Sequence, residues 1–159
     1  MTEPVSDPTQ SPIFVQRRIE ANILKQVYET LIESHGEDVA RKTIADSVRK
    51  ASIAQAEEMA EGVETSMLTF IDLMAMWSKG GALETTVLDA NEKEFNFDVT
   101  RCRYAEMYQE MGLGEIGHLL SCQRDGTFCE GYDSRIKMTR TQTIMQGAPT
   151  CTFRFKLTE

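Results

Sequence analysis

The chain has 159 residues, 41% of them apolar and 26% charged, which fits one globular domain able to bury a core without staples. No stretch approaches the roughly 18 apolar residues that cross a bilayer, and residues 1–11 read as a polar, disordered tail rather than a targeting peptide. The composition therefore points to a cytoplasmic protein without a membrane partner, and a formal charge of −8 argues against a nucleic-acid partner as well.

From Pro12 to about Glu33, apolar residues recur at Phe14, Ile19, Ile23, Val27 and Leu31, the stripe of an amphipathic helix. Ser11 is a fair N-cap with proline at the first helical position, and His35-Gly36 ends the helix. A second helix is predicted over Glu37–Ala60 with Val39, Ile44, Val48 and Ile53 inward, and a third over Thr65–Ser78 with Met67, Phe70, Met74 and Trp77 inward. The period then changes. Ala82–Asp89 and Glu94–Arg101 read as strands joined by a turn, with Phe95, Phe97 and Val99 alternating against polar neighbours. A further helix is predicted over Arg103–Met111. Residues 112–134, with five glycines, read as loop-rich, and strands follow at Ile136–Ile144 and Thr150–Leu157. The expected fold is α+β: helices on a four-stranded, mainly antiparallel sheet, forming one domain from residue 12 to 159. The apolar stripes of the first two helices leave room for a homodimer.

Cys102, Cys122, Cys129 and Cys151 all lie in the second half; in a cytosolic chain they are expected to be thiols. Cys102 stands where a strand ends and a helix begins, so backbone N–H groups, with Arg101 and Arg103 alongside, could depress its pKa and make it a nucleophile. The bland alternative is a small buried hydrophobe. His118 and Cys122 are four apart, a spacing that suits a thiol–imidazole pair on one helical face. Glu106 lies one turn into the helix after Cys102, on its face, and Asp125 adds a second candidate for proton transfer; their plain alternatives are a solvated helix residue and a loop-capping residue. Six arginines, at 101, 103, 124, 135, 140 and 154, offer planar forks for a carboxylate. No cofactor is required by this chemistry, although Cys102, His118, Cys122 and Cys129 are a conceivable zinc set, and a zinc-binding, small-molecule-sensing module without catalysis is the alternative reading.

The wording of the chain also carries a resemblance. Arg101-Cys102-Arg103-Tyr104-Ala105-Glu106-Met107-Tyr108 and Met111-Gly112-Leu113-Gly114-Glu115-Ile116-Gly117-His118-Leu119-Leu120-Ser121-Cys122 are similar to the L-2-amino-thiazoline-4-carboxylic acid hydrolase family. So are Arg124-Asp125, Phe128-Cys129 through Gly131-Tyr132-Asp133, Thr139-Arg140-Thr141-Gln142-Thr143-Ile144-Met145 and the opening Ser11-Pro12-Ile13-Phe14-Val15-Gln16-Arg17-Arg18-Ile19-Glu20. The resemblance implies hydrolytic opening of a cyclic amidine or isothiourea that bears a carboxylate, with carbamoyl-L-cysteine, a step towards cysteine, as the type product. Among the shared positions, Cys102 or Cys122 could attack, and His118, Glu106 or Asp125 could move protons. Arg101, Arg103, Arg124 and Tyr104 could bind the substrate. One departure stands out: Thr150-Cys151-Thr152 occupies the place where the family tends to have His-Cys-Asp.

Overall fold

A computed structural model describes residues 6–159. Three helices, α1 (Pro12–His35), α2 (Glu37–Ala60) and α3 (Met67–Ser78), precede a hairpin of β1 (Leu83–Ala90) and β2 (Glu94–Cys102). Then come α4 (Arg103–Glu110), a π-helical turn (His118–Cys122) running straight into α5 (Gln123–Tyr132), β3 (Ile136–Thr139) and β4 (Cys151–Leu157). The sheet is antiparallel in the order β1-β2-β4-β3. One face alternates Phe95, Phe97 and Val99 on β2 with Cys151, Phe153 and Phe155 on β4, and all six are buried. This is the α+β architecture expected from the change of period. Among the described residues no helix is long and apolar enough to cross a membrane.

The helix starts are set by local chemistry. Ser11 Oγ accepts the Phe14 N–H at 3.2 Å, and Ser66 with Thr69 forms a reciprocal capping box at α3. Of the expected tail, residues 1–5 lie outside the described residues. Residues 6–11 are ordered by a 3-10 turn at Pro8–Gln10, and Ser6 donates a hydrogen bond to the Gly80 carbonyl at 3.0 Å.

Four local expectations need correcting. The inward face of α1 is Ile13, Phe14, Arg17 and Ala21, while Ile19, Ile23 and Val27 face out. The buried face of this helix carries an arginine where the apolar pattern wants a hydrophobe, because Arg17 finds its partners inside the protein. On α2 the inward set is Ala40, Ile44, Val48, Ser52 and Ala56, with Val39 exposed. Residues 118–132, read as loop from their glycines, are helical. Gly131 serves a close crossing instead of a turn: a Cβ there would run into the Ile53 carbonyl oxygen and sit 2.9 Å from Ala56 Cβ. The third expected strand is also short, stopping at Thr139.

That crossing gives a test of the packing. Gly131→Ala must push α5 away from α2, and overpacking of this kind costs about 1–3 kcal/mol. Urea unfolding of the variant is expected to show a lower midpoint at unchanged slope; an unshifted midpoint would mean that the two helices yield freely.

Candidate functional site

Two β-bulges decide which side chains reach the interior. Along β2, strict alternation after Phe95, Phe97 and Val99 would bring Arg101 inward. The register instead jumps from Thr85↔Val99 to Glu84↔Arg101, which leaves Thr100 unpaired and turns Cys102 to the inner face beside Leu83. Arg101 goes outward, where it pairs with Glu106 at 3.1 Å and Glu84 at 3.9 Å. In β1 the extra residue is Leu88, so Leu83, Thr85 and Val87 before it and Ala90 after it all line the outer chamber, although only Leu83 is half-buried and the other three are exposed.

These side chains, with α1, α3 and α5, enclose two chambers. The outer one, about 390 Å³, opens between the end of α3 and strand β1 and is walled by Trp77, Phe95, Phe97, Phe128, Phe153 and Phe155. The inner one, about 60 Å³, is lined by Cys102, Cys122, Cys151, Tyr104, Ser121 and Arg140 among others. Arg17, Trp77, Leu83, Arg124, Asp125 and Phe153 line both, so the chambers meet at these six side chains.

The meeting point is charged. Arg17 Nη1 and Arg124 Nη2 both bond Glu20, at 3.2 and 3.0 Å, and Arg17 Nη2 donates to Gln55 Oε1 at 3.2 Å. Arg124 Nε donates to the Leu120 carbonyl, within the π-turn, at 2.8 Å. Asp125 Oδ2 accepts from Arg140 Nη1 at 2.6 Å, and Arg140 Nη2 donates to the Cys122 carbonyl at 2.9 Å. The Arg140 guanidinium also lies 4.9 Å from the centre of the Phe153 ring. Arg17, Arg124 and Arg140 against Glu20 and Asp125 leave one positive charge in excess. Burial, followed by the nearby Arg17, lowers the Arg124 pKa to about 10, so the group stays charged at neutral pH and an incoming anion would relieve it.

Asp125 has the opposite bias. Burial pushes its carboxyl above the ordinary range, against the pull of Arg140, Arg17 and Arg124. A quarter of its side chain (25%) remains accessible. Its Oδ1 makes no hydrogen bond among the described residues, yet no side-chain polar atom there is both sealed and unpaired. Oδ1 is therefore the atom left open to the chambers.

The thiols behave differently from the expectation for a helix N-terminus. Cys102 caps α4, its Sγ accepting the Ala105 N–H at 3.4 Å, and that bond does lower its pKa. Burial outweighs it and raises the Cys102 thiol to about 12. Cys122 and Cys151 are also raised, by burial first. At neutral pH the inner chamber thus presents neutral thiols. Cys129 lines neither chamber, and its Sγ lies 3.5 Å from the Asp125 backbone carbonyl.

Of the residues singled out from sequence, Cys102, Cys122, Arg124, Asp125 and Tyr104 come together here. Tyr104 reaches the inner chamber with its hydroxyl already donated to the Trp77 carbonyl at 2.9 Å. His118, Glu106, Arg101 and Arg103 line neither chamber. His118 sits at the far end of the π-turn, its pKa lowered by burial and by Arg41; Arg103 is tied to the Gly81 carbonyl at 3.1 Å. With His118 away from the chambers, the conceivable zinc set is dispersed, and no group of three or more His, Cys, Asp or Glu among the described residues is placed to hold a metal. Arg17, Glu20, Trp77 and Cys151 were not singled out as site residues and Arg140 was named only among six candidate forks for a carboxylate, although the shared opening and the Thr139–Met145 segment already contained several of them. Thr150 and Thr152 line neither chamber: Thr150 bonds Gln142, and Thr152 bonds Thr141.

An α+β layer with a charged, cysteine-bearing recess behind an aromatic chamber is thus the class of molecule in hand. The family model described as L-2-amino-thiazoline-4-carboxylic acid hydrolase matches residues 16–155, and the chain belongs to that family. No curated protein matches it. Among solved structures it is similar to a trafficking protein particle complex subunit 3 from Naegleria fowleri covalently bound to palmitic acid, at 10% identity and a TM-score of 0.50 over 91% of this chain and 96% of that one. It is also similar to the phenol-responsive sensory domain of the transcription activator PoxR, at 12% identity and a TM-score of 0.46 over 99% and 77% of the two chains. At such identities the likeness concerns the fold alone.

The raised thiol pKa values give the second test. Under native conditions near pH 7.5, iodoacetamide is expected to label Cys102 and Cys122 far more slowly than it labels the urea-unfolded chain, as read by peptide mass spectrometry. Equal rates would show that one of them is an exposed thiolate.

Proposed function

We propose that the protein is a hydrolase that opens a cyclic amidine or isothiourea ring carrying a carboxylate, with water activated by Asp125 as the nucleophile. L-2-amino-thiazoline-4-carboxylate is the type substrate, and carbamoyl-L-cysteine the product. The observation that carries this reading is a half-buried carboxyl with a raised pKa, located where two chambers meet beside paired guanidinium groups. A base of this kind works near its pKa.

In this reading each group has a role. The substrate carboxylate sits against Arg124 and Arg17, whose charge exceeds what Glu20 supplies. The inner chamber admits about four waters at ~10–15 Å³ each, on the side of Asp125 away from the aromatic chamber. Asp125 Oδ1 takes a proton from one of them as its oxygen bonds to the amidine carbon. The tetrahedral adduct then collapses: the carbon–sulfur bond breaks, the oxygen becomes the carbonyl of the carbamoyl group, the ring nitrogen keeps one of the water's protons and Asp125 returns the other to the sulfur. Arg140 holds Asp125 in place and offsets the cost of its charge. Neutral Cys102 and Cys122 line the water chamber without attacking.

The pH dependence follows with its sign. Asp125 must be deprotonated to act as base, so kcat/KM rises as pH passes through a carboxyl pKa that burial has placed above the usual ~4. Because Arg140 lowers that pKa, Arg140→Gln is expected to move the acid limb to higher pH. Asp125→Asn is expected to reduce kcat by about 10²–10⁴-fold, while Cys102→Ser stays within roughly threefold, measured as carbamoyl-L-cysteine formed. Loss of turnover in Cys102→Ser with Asp125→Asn fully active would return the role of nucleophile to the thiol and discard the water route.

A further inference from the structure

The type substrate is one small ring with a carboxylate, and the outer chamber is far larger than that. Its volume of about 390 Å³ falls in the roughly 300–1,000 Å³ range of pockets that bury drug-sized ligands. Polarity is confined to its two ends. Arg17, Arg124 and Asp125 form the floor, while exposed Lys79 and Thr85 and half-buried Ser78 lie near the mouth. Between them the wall is aromatic and aliphatic.

That wall is preformed. Phe97 and Phe153 stack at 4.8 Å, Phe95 lies 4.7 Å from Phe97, and Trp77 meets Phe128 edge-on at 5.4 Å. The sheet ladder fixes the backbones of Phe95, Phe97 and Phe153, and the bulge at Leu88 keeps Val87 and Ala90 on the same side. Rings held by one another offer flat faces and edges to another ring at low entropic cost. A bare carboxylate on a small ring would meet the floor and leave these surfaces wet.

We propose that the native ligand is an aryl-substituted carboxylate, its carboxylate on Arg124 and Arg17 and its aromatic group along the wall formed by Trp77, Phe97, Phe128 and Phe153. This deepens the hydrolase reading by naming the substrate class, and rests on it only for the reacting ring; binding itself requires no chemistry. The substrate is then a cyclic amidine or isothiourea carboxylate with an aryl group, larger than the family's type substrate.

Trp77 is the single tryptophan of the chain and lines both chambers, so its fluorescence reports occupancy. The probes are propionate, 3-phenylpropionate, 3-phenylpropanamide and decanoate. 3-Phenylpropionate is expected to change the emission saturably, with a Kd at least tenfold below those of propionate and of the neutral amide, and below that of decanoate. Ala75→Phe, at an exposed lining position of α3, is expected to weaken 3-phenylpropionate tenfold with an unchanged thermal midpoint. Arg124→Gln is expected to abolish the preference for carboxylate over amide. Equal affinities for propionate and 3-phenylpropionate would overturn the proposal while leaving ring opening intact, as would an amide that binds as tightly as the acid or decanoate binding more tightly than the aryl probe. Tight 3-phenylpropionate binding in a protein that does not open L-2-amino-thiazoline-4-carboxylate would support the ligand class and count against the type substrate.

Discussion

Arg17 on α1 and Arg124 at the start of α5 both close on Glu20, and the two arginines are almost wholly buried. This bridge joins the first helix to the fifth across the floor of the chambers. Desolvating such a network cancels much of its Coulombic gain, and a well-packed apolar replacement is commonly as stable. Stability alone therefore gives little reason for two buried guanidinium groups where one carboxylate answers them. Their excess charge becomes intelligible once an anion is expected beside them. The adjoining pair, Arg140 with Asp125, is almost balanced by comparison, and the same logic makes it a device for holding a carboxyl that burial would otherwise protonate.

The choice between thiol and water turns on the relative size of two effects at one residue. The N-terminus of α4 does act on Cys102, through a real hydrogen bond from Ala105. The backbone donors of the first turn, Ala105 and Tyr104, contribute a fraction of what removal from water costs a thiolate, and the thiol pKa ends near 12 rather than below 8. Asp125 experiences a comparable burial, but it has a guanidinium at 2.6 Å. Burial thus acts on both groups, and only the carboxyl has a charged partner in contact to oppose it; no count of flanking arginines in the sequence could have shown which side of the strand those arginines take.

Much of the architecture was legible because the elements that position the site have strong periods. The bounds of α2 match the expectation residue for residue, and the strand β2, the helix α4 and the antiparallel sheet follow from alternation at Phe95, Phe97 and Val99 and from Tyr104, Met107 and Tyr108. What failed did so for identifiable reasons. The phase of α1 was hidden by Arg17, a charge on a buried face. The length of α5 was hidden by Gly126 and Gly131, which allow close approach to Met138 and to α2. At the site, Asp125, Arg124 and the pair Cys102 and Cys122 were legible from residue type. Arg101 was not, since one unpaired residue at Thr100 exchanges its side with that of Cys102, and bulges leave no mark in composition.

The same parity argument bears on the place where this chain departs from its family's usual wording. On β4 the inward positions are Cys151, Phe153 and Phe155, so the alternating position, Thr152, faces away together with Arg154, whose guanidinium pairs with Asp98 at 3.0 Å. Thr150 is occupied with Gln142 just before the strand. An aspartate at position 152 would begin on the side of the strand opposite to the chambers, and Cys151, which does face them, is retained. The arginine-lined floor and the Asp125 carboxyl are therefore assembled without those two side chains. The substitution reads as a change of surface on β4, and the features that would set one substrate apart from another lie instead in the aromatic wall.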